Sequence, residues 1–177
     1  MSFSSDVKEE LAKQISKSRH CQLAELAGII ELAGRINEKT NGLELDTENL
    51  LLLNKYATLM KRAFGTDTTK ALDEQETSKI LAALKITAQP VNRQTTDGLL
   101  LMQICCKRAF IRGAFMAAGS ISDPNKAYHF EIVCHTPEQA KQLQELLCGF
   151  DTDAKIVERK GHYVVYIKEG AHIVDSL

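Results

Sequence analysis

CQLAELAGIIELAGRI, Cys21–Ile36, overlays CKRAFIRGAFMAAGSI, Cys106–Ile121, when the chain is slid along itself by 85 residues. The identical pairs are Cys21/Cys106, Ala24/Ala109, Gly28/Gly113, Ala33/Ala118, Gly34/Gly119 and Ile36/Ile121. A second echo lies downstream, where Gly65, Asp67 and Thr68 match Gly149, Asp151 and Thr152 at an offset of 84. Chance likeness of two Ala/Leu/Gly-rich helices explains the first match alone, but not two matches at nearly one spacing. The chain is therefore read as an internal duplication.

Each half reads in the same order: helix, hairpin, helix, more strand. In the second half the pattern predicts a helix over about Gln103–Gly119, a turn at Ser122–Asn125, an alternating strand Tyr128–His135 and a helix capped by Thr136 with Pro137 at its first position. A hairpin IVERKGHYVVYI then turns at Lys160-Gly161. In the first half Arg35–Thr40 and Leu43–Thr47 read as a hairpin turning at Asn41-Gly42. Asn49–Phe64 reads as a helix closed by Gly65. The stretch Thr66–Pro90 is expected to hold one strand and a short helix near Thr77–Leu84, and polar Pro90–Gly98 to connect the halves. A leading helix, Asp6–Ser16, is expected behind a Ser4 or Ser5 cap.

Glycine in a helix costs about 1 kcal/mol relative to alanine, so two per helix at one spacing need a reason. Close helix approach supplies it, through Ala24, Ala27, Gly28 and Gly34 on one helix and Ala109, Gly113, Ala117 and Gly119 on the other. For Gly34 and Gly119 the ordinary role of a helix C-terminal glycine is an equal alternative.

A chain of 177 residues, 44% hydrophobic and 25% charged, buries roughly 70% of its unfolded surface and needs no staples. The net charge of −1 gives no strongly basic footprint of a tight nucleic-acid binder. Five cysteines, Cys21, Cys105, Cys106, Cys134 and Cys148, are odd in number and lack CxxC or Cys/His ligand spacing. They read as reduced cytosolic thiols with no metal site. No apolar stretch nears the roughly 20 residues of a membrane span, and no signal segment is seen. The expectation is a soluble, cytoplasmic protein without cofactor.

LAGIIELAG, Leu26–Gly34, resembles the LAGLIDADG motif of homing endonucleases, and IRGAFMAAG, Ile111–Gly119, resembles its second copy. The resemblance implies an α/β (α+β) pseudo-two-fold fold with two central helices and antiparallel sheets forming a saddle over DNA. It also implies a metal-holding acid before the last glycine of each motif. Those positions are Ala33 and Ala118, and a methyl group cannot hold the Mg²⁺ of phosphodiester hydrolysis. Glu31 lies two residues away, on another side of the helix, and is expected to be solvated or locally paired. Over nearly the whole chain, the leader MSFSSDVKEELAK and the runs CCKRAFIRGAFMAAGSISDPNKAYHFEIV and AKIVERKGHYVVYIKEGAHIVDSL resemble the N-terminal part of the WhiA family. That resemblance implies a bacterial regulator of sporulation or cell division, associated with the nucleoid. Its DNA would be read mainly by a helix-turn-helix domain beyond Leu177. The expected organisation is 1–90 for the leading helix and first half, 91–99 for the linker and 100–177 for the second half.

Strand alternation places Ile36, Leu43, Leu45, Phe130, Ile132, Ile156, Tyr163, Val165 and Ile167 inside. The outer face carries Arg35, Lys39, Lys155, Arg159 and Lys168 as candidate DNA contacts, with Lys126 and Lys160 on loops. Glu44, Asp46 and Glu131 on the same faces offset these bases. His129 and Glu131 are neighbours on one strand, with His135 too far along it to share an ion. The first reading is a non-catalytic, DNA-associated regulatory module, with protein partners in transcription and a monomeric state. Its rivals are an active metal-dependent endonuclease or maturase, and a protein-interaction domain without nucleic-acid contact.

Overall fold

Two helices of fifteen residues, α2 (Arg19–Ala33) and α5 (Ile104–Ala118), form the centre of the computed structural model, which describes residues 2–86, 91–123, 125 and 129–168. Every residue of α2 from Cys21 to Ala33 is buried, so the helix has no solvent stripe and is packed on all sides. Each central helix runs without a loop into a strand, β1 (Gly34–Ile36) or β3 (Gly119–Ile121).

Around them the first half supplies α1 (Phe3–Lys13), β2 (Leu43–Leu45), α3 (Leu50–Phe64) and α4 (Glu74–Ala83). The second half supplies β4 (Phe130–Cys134), α6 (Pro137–Cys148), β5 (Lys155–Arg159) and β6 (His162–Ile167). Among the described residues all strand pairs are antiparallel, and the sheets are unequal: β1-β2 in one half and β3-β4-β6-β5 in the other. The fold is the α+β arrangement of two central helices flanked by antiparallel sheets. Phe130 and Ile132 of β4 and Val165 and Ile167 of β6 are buried beneath the helices, with the Phe130 ring stacked on Phe115 of α5 at 5.3 Å.

Local chemistry sets most of the boundaries. Asn49 caps α3 by accepting from the amides of Leu51 and Leu52, and Gly65 ends it in the left-handed region at φ 67°. Thr136 caps α6 ahead of Pro137. Lys160 and Gly161, at φ 52° and 81°, make the tight turn that joins β5 to β6.

Four local expectations are corrected. The leading helix begins at Phe3, because Ser2 rather than Ser4 or Ser5 accepts from the Ser5 amide. The first hairpin does not turn on two residues: the Asn37 amide donates to the Gly42 carbonyl, and the Asn37 side chain accepts from the Lys39 and Thr40 amides. Glu38–Asn41 thus form the loop, with Asn41 alone at positive φ. In Thr66–Pro90 the described residues hold α4 and no strand. A capping box between Asp73 and Glu76 starts that helix three residues before the predicted position. The connection between halves is packed into the protein, with Val91 and Thr96 buried.

Candidate functional site

The contact between α2 and α5 is built at backbone distance. A Cβ at Gly28 would stand 2.4 Å from the Phe110 carbonyl oxygen, and one at Gly113 would stand 2.2 Å from the Glu25 carbonyl oxygen. Each glycine therefore receives the backbone of the other helix, and Ala24, Ala27 and Ala109 fill the same seam without exposure. Ala117 is only partly buried against the core.

Gly34 and Gly119 act differently. They follow the helix ends with extended backbones, φ −78° and −102°. A Cβ there would strike Ile30 or Phe115, earlier in the same helix, not the partner helix. Their spacing is that of a helix-to-strand corner.

Ala33 and Ala118 stand at these corners, where the two motif helices end. Ala33 is buried, and its carbonyl accepts from the Asp46 amide at 2.7 Å. The Asp46 carboxylate is turned to Arg35 at 3.5 Å. Two methyl groups in place of two carboxylates do not fit a divalent metal, and no step is built through one.

Glu31 is fully buried rather than solvated, and accepts from Thr96 Oγ1 at 2.8 Å. Burial raises its carboxyl to about 8, against the opposing pull of the Thr96 hydrogen bonds. The Gln139 amide donates to the carbonyls of Glu31, Asn92 and Gln94. Gln142 accepts from the Thr96 amide and donates to its carbonyl. Glu31 thus belongs to a polar clasp tying the inter-half segment to α2 and α6.

A second buried acid escaped the sequence reading. Glu25 on α2 meets Lys55 of α3 at 3.0 Å and Arg112 of α5 at 3.5 Å, and Lys55 also donates to the carbonyls of Leu11 in the last turn of α1 and of Gln14 just after it. Burial pushes the Glu25 carboxyl up and the Lys55 ammonium down, each opposed by the other's charge. A lone acid in the apolar first half of α2 was the available signal, since a buried charge demands a partner.

The outer sheet faces are pair-neutralised. Arg35 lies 2.8 Å from Glu44 across β1-β2, Arg159 lies 3.4 Å from Glu131, and Lys155 lies 3.8 Å from Asp153. His129 shares Glu131 at 3.2 Å, while His135 donates to the Leu32 carbonyl at 2.9 Å and does not join them. Lys39 is exposed on the first loop and Lys160 on the last turn. Lys168 reaches over the Tyr166 ring at 5.7 Å. Lys126, and the strand start expected at Tyr128, lie outside the described residues. Register places Val133, Val164 and Val157 in one row across the centre of the larger sheet, with Val164 buried and Val157 exposed.

At the opposite ends of the central helices the fold gathers residues that sequence spacing kept apart. His20, Cys21, Cys105 and Cys106 place their ligand-type atoms within 4.8 Å of one another, the one such group of three or more among the described residues. Burial first, then the neighbouring thiols, raise Cys21 to about 12. The overlay that matches Cys21 with Cys106 also matches His20 with Cys105, and that was the signal to follow.

Comparison with known proteins agrees with this geometry. The WhiA LAGLIDADG-like domain matches residues 107–177. The "probable cell division protein WhiA" of Lachnoclostridium phytofermentans is 42% identical over the whole chain, which spans 64% of that relative. The crystal structure of full-length DUF199/WhiA from Thermatoga maritima superposes on 99% of the chain and 60% of its own length, with a TM-score of 0.75 at 21% identity. The homing endonuclease I-DmoI, crystallised with DNA and Mn, shares the fold at a TM-score of 0.53 and 17% identity, over 85% of this chain and 91% of that one. The chain spans under two thirds of the length of the curated relatives it matches. Over its whole length the chain is similar to WhiA proteins, and over residues 107–177 it matches the WhiA LAGLIDADG-like domain.

Proposed function

We propose that this domain is a non-catalytic module of a regulator acting in cell division or sporulation, working in the cytoplasm at the nucleoid. The observation that carries the reading is the pairing of an intact seam with an emptied site. Gly28 and Gly113 still admit the opposing backbones, while Ala33 and Ala118 stand where metal-holding acids would be needed. A helix seam preserved in both halves serves a scaffold. Sequence-specific DNA reading is assigned to a helix-turn-helix domain that the chain would position, and this domain's sheet adds weak backbone contacts.

The paired charges support a weak role. Arg35, Lys155 and Arg159 each face a carboxylate within 4 Å, so few cations remain to release counterions from phosphates. Titrating labelled duplexes of unrelated sequence into the chain at low and high salt tests this. The expected result is weak binding that salt abolishes and sequence does not alter. Tight, sequence-selective binding by this domain alone would overturn the proposal. Absence of binding even at low salt would favour the pure protein-interaction role.

A further inference from the structure

The group at the N-terminal ends of α2 and α5 is unused by the function proposed above. His20 and Cys21 are the second and third residues of α2, and Cys105 and Cys106 hold the same positions in α5. Internal duplication thus presents two adjacent donors twice, and packing of the central helices turns both pairs toward one point. The His20 Nδ1 atom lies 3.1 Å from Cys106 Sγ, 3.5 Å from Cys21 Sγ and 3.9 Å from Cys105 Sγ. Tetrahedral zinc, with bonds of about 2.3 Å to sulfur and 2.0 Å to nitrogen, holds its donors about 3.5–3.8 Å apart. The four side chains therefore stand near ligating separation before any ion arrives.

Core packing alone does not explain the group. Cys21 and Cys106 are buried, but His20 and Cys105 are exposed, so half of it fills no apolar space and leaves a path for an ion from solvent. The helix ends are also open. Neither Ser18 nor Gln103 caps its helix with a side-chain hydrogen bond. The position also separates this group from endonuclease chemistry: by helix rise it lies about 20 Å from Ala33.

We infer that His20, Cys21, Cys105 and Cys106 form a Cys3His site for a tetrahedral divalent ion of the zinc class, fastening the N-terminal ends of the two central helices. Binding takes His20 through Nδ1 and releases the thiol protons to solvent, with no change in oxidation state. The site is structural, because four protein donors close the coordination shell.

Cobalt(II) titration of the full chain, purified under reducing conditions and stripped of metal, tests the assignment. The expected result is tetrahedral d–d absorption with thiolate-to-cobalt charge transfer, saturating at about one ion per chain and bleached by added zinc. Cys105→Ser and His20→Asn change exposed side chains and leave the core intact. Each should alter the cobalt spectrum and weaken zinc binding by about tenfold or more, whereas Cys148→Ser should do neither. Octahedral cobalt alone, a cobalt spectrum and zinc affinity that Cys105→Ser leaves unchanged, or a Cys21–Cys106 disulfide in the reduced preparation would overturn it.

Discussion

Glu31 and Lys55 show how much a single buried ionisable group decides here. The Glu31 carboxyl titrates near 8 in the folded chain against 4.5 when free, because burial disfavours its charge. Between those values the folded chain keeps a proton that the unfolded chain has released, so stability falls as pH rises through that window. The loss is on the order of 5 kcal/mol and is complete above about pH 8. Glu31→Gln removes the titration, so urea unfolding of the variant should be flatter with pH and its stability higher than the parent's at alkaline pH. Parallel curves for the two proteins would show that Glu31 is not buried as described. For Lys55 the sign is opposite: Lys55→Ala strips the Glu25 carboxylate of its nearest partner and takes the ammonium donor from the Leu11 and Gln14 carbonyls. A loss of about 3–5 kcal/mol in the same assay is expected.

At the scale of elements, the seam between α2 and α5 is the feature most sensitive to volume. Gly28→Ala and Gly113→Ala each drive a methyl into a carbonyl on the facing helix, where only a shift of the whole helix gives relief. Each should cost about 3 kcal/mol in chemical denaturation. Gly98→Ala, with nothing within 4 Å of the added carbon, should be close to neutral. This seam was legible in the sequence because glycine inside a helix weakens it, and its recurrence at one spacing in both halves points to a backbone that must come close. The first hairpin was not, because the Asn37 side chain captures the Lys39 and Thr40 amides and widens a turn that Asn41-Gly42 alone would close tightly. The strand expected in Thr66–Pro90 failed among the described residues for a related reason: the Asp73–Glu76 capping box commits that segment to a helix.

For the molecule as a whole, sequence reading reached the duplication and the central helix pair, both of which depend on residue identity and spacing. What it missed depends on partners from different elements. Glu25 finds Lys55 and Arg112 only once three helices are packed, and His20 meets three thiols only where the two halves join. The unequal sheets, two strands against four among the described residues, were likewise hidden by the common order of the two halves. DNA affinity is a property of this scale too. Changing Arg35, Lys39 and Arg159 together to Ala should lower low-salt affinity for duplex DNA by about tenfold and flatten its salt dependence. Unchanged affinity would take these residues out of any DNA-facing surface.

The central claim is that the scaffold survives without the nuclease chemistry, and incubation of the chain with supercoiled plasmid and Mg²⁺ or Mn²⁺ tests it most directly. Plasmid should stay supercoiled at the rate of a protein-free control, for the parent and for Glu31→Gln alike. Sustained metal-dependent nicking by the parent that Glu31→Gln abolishes would contradict the account.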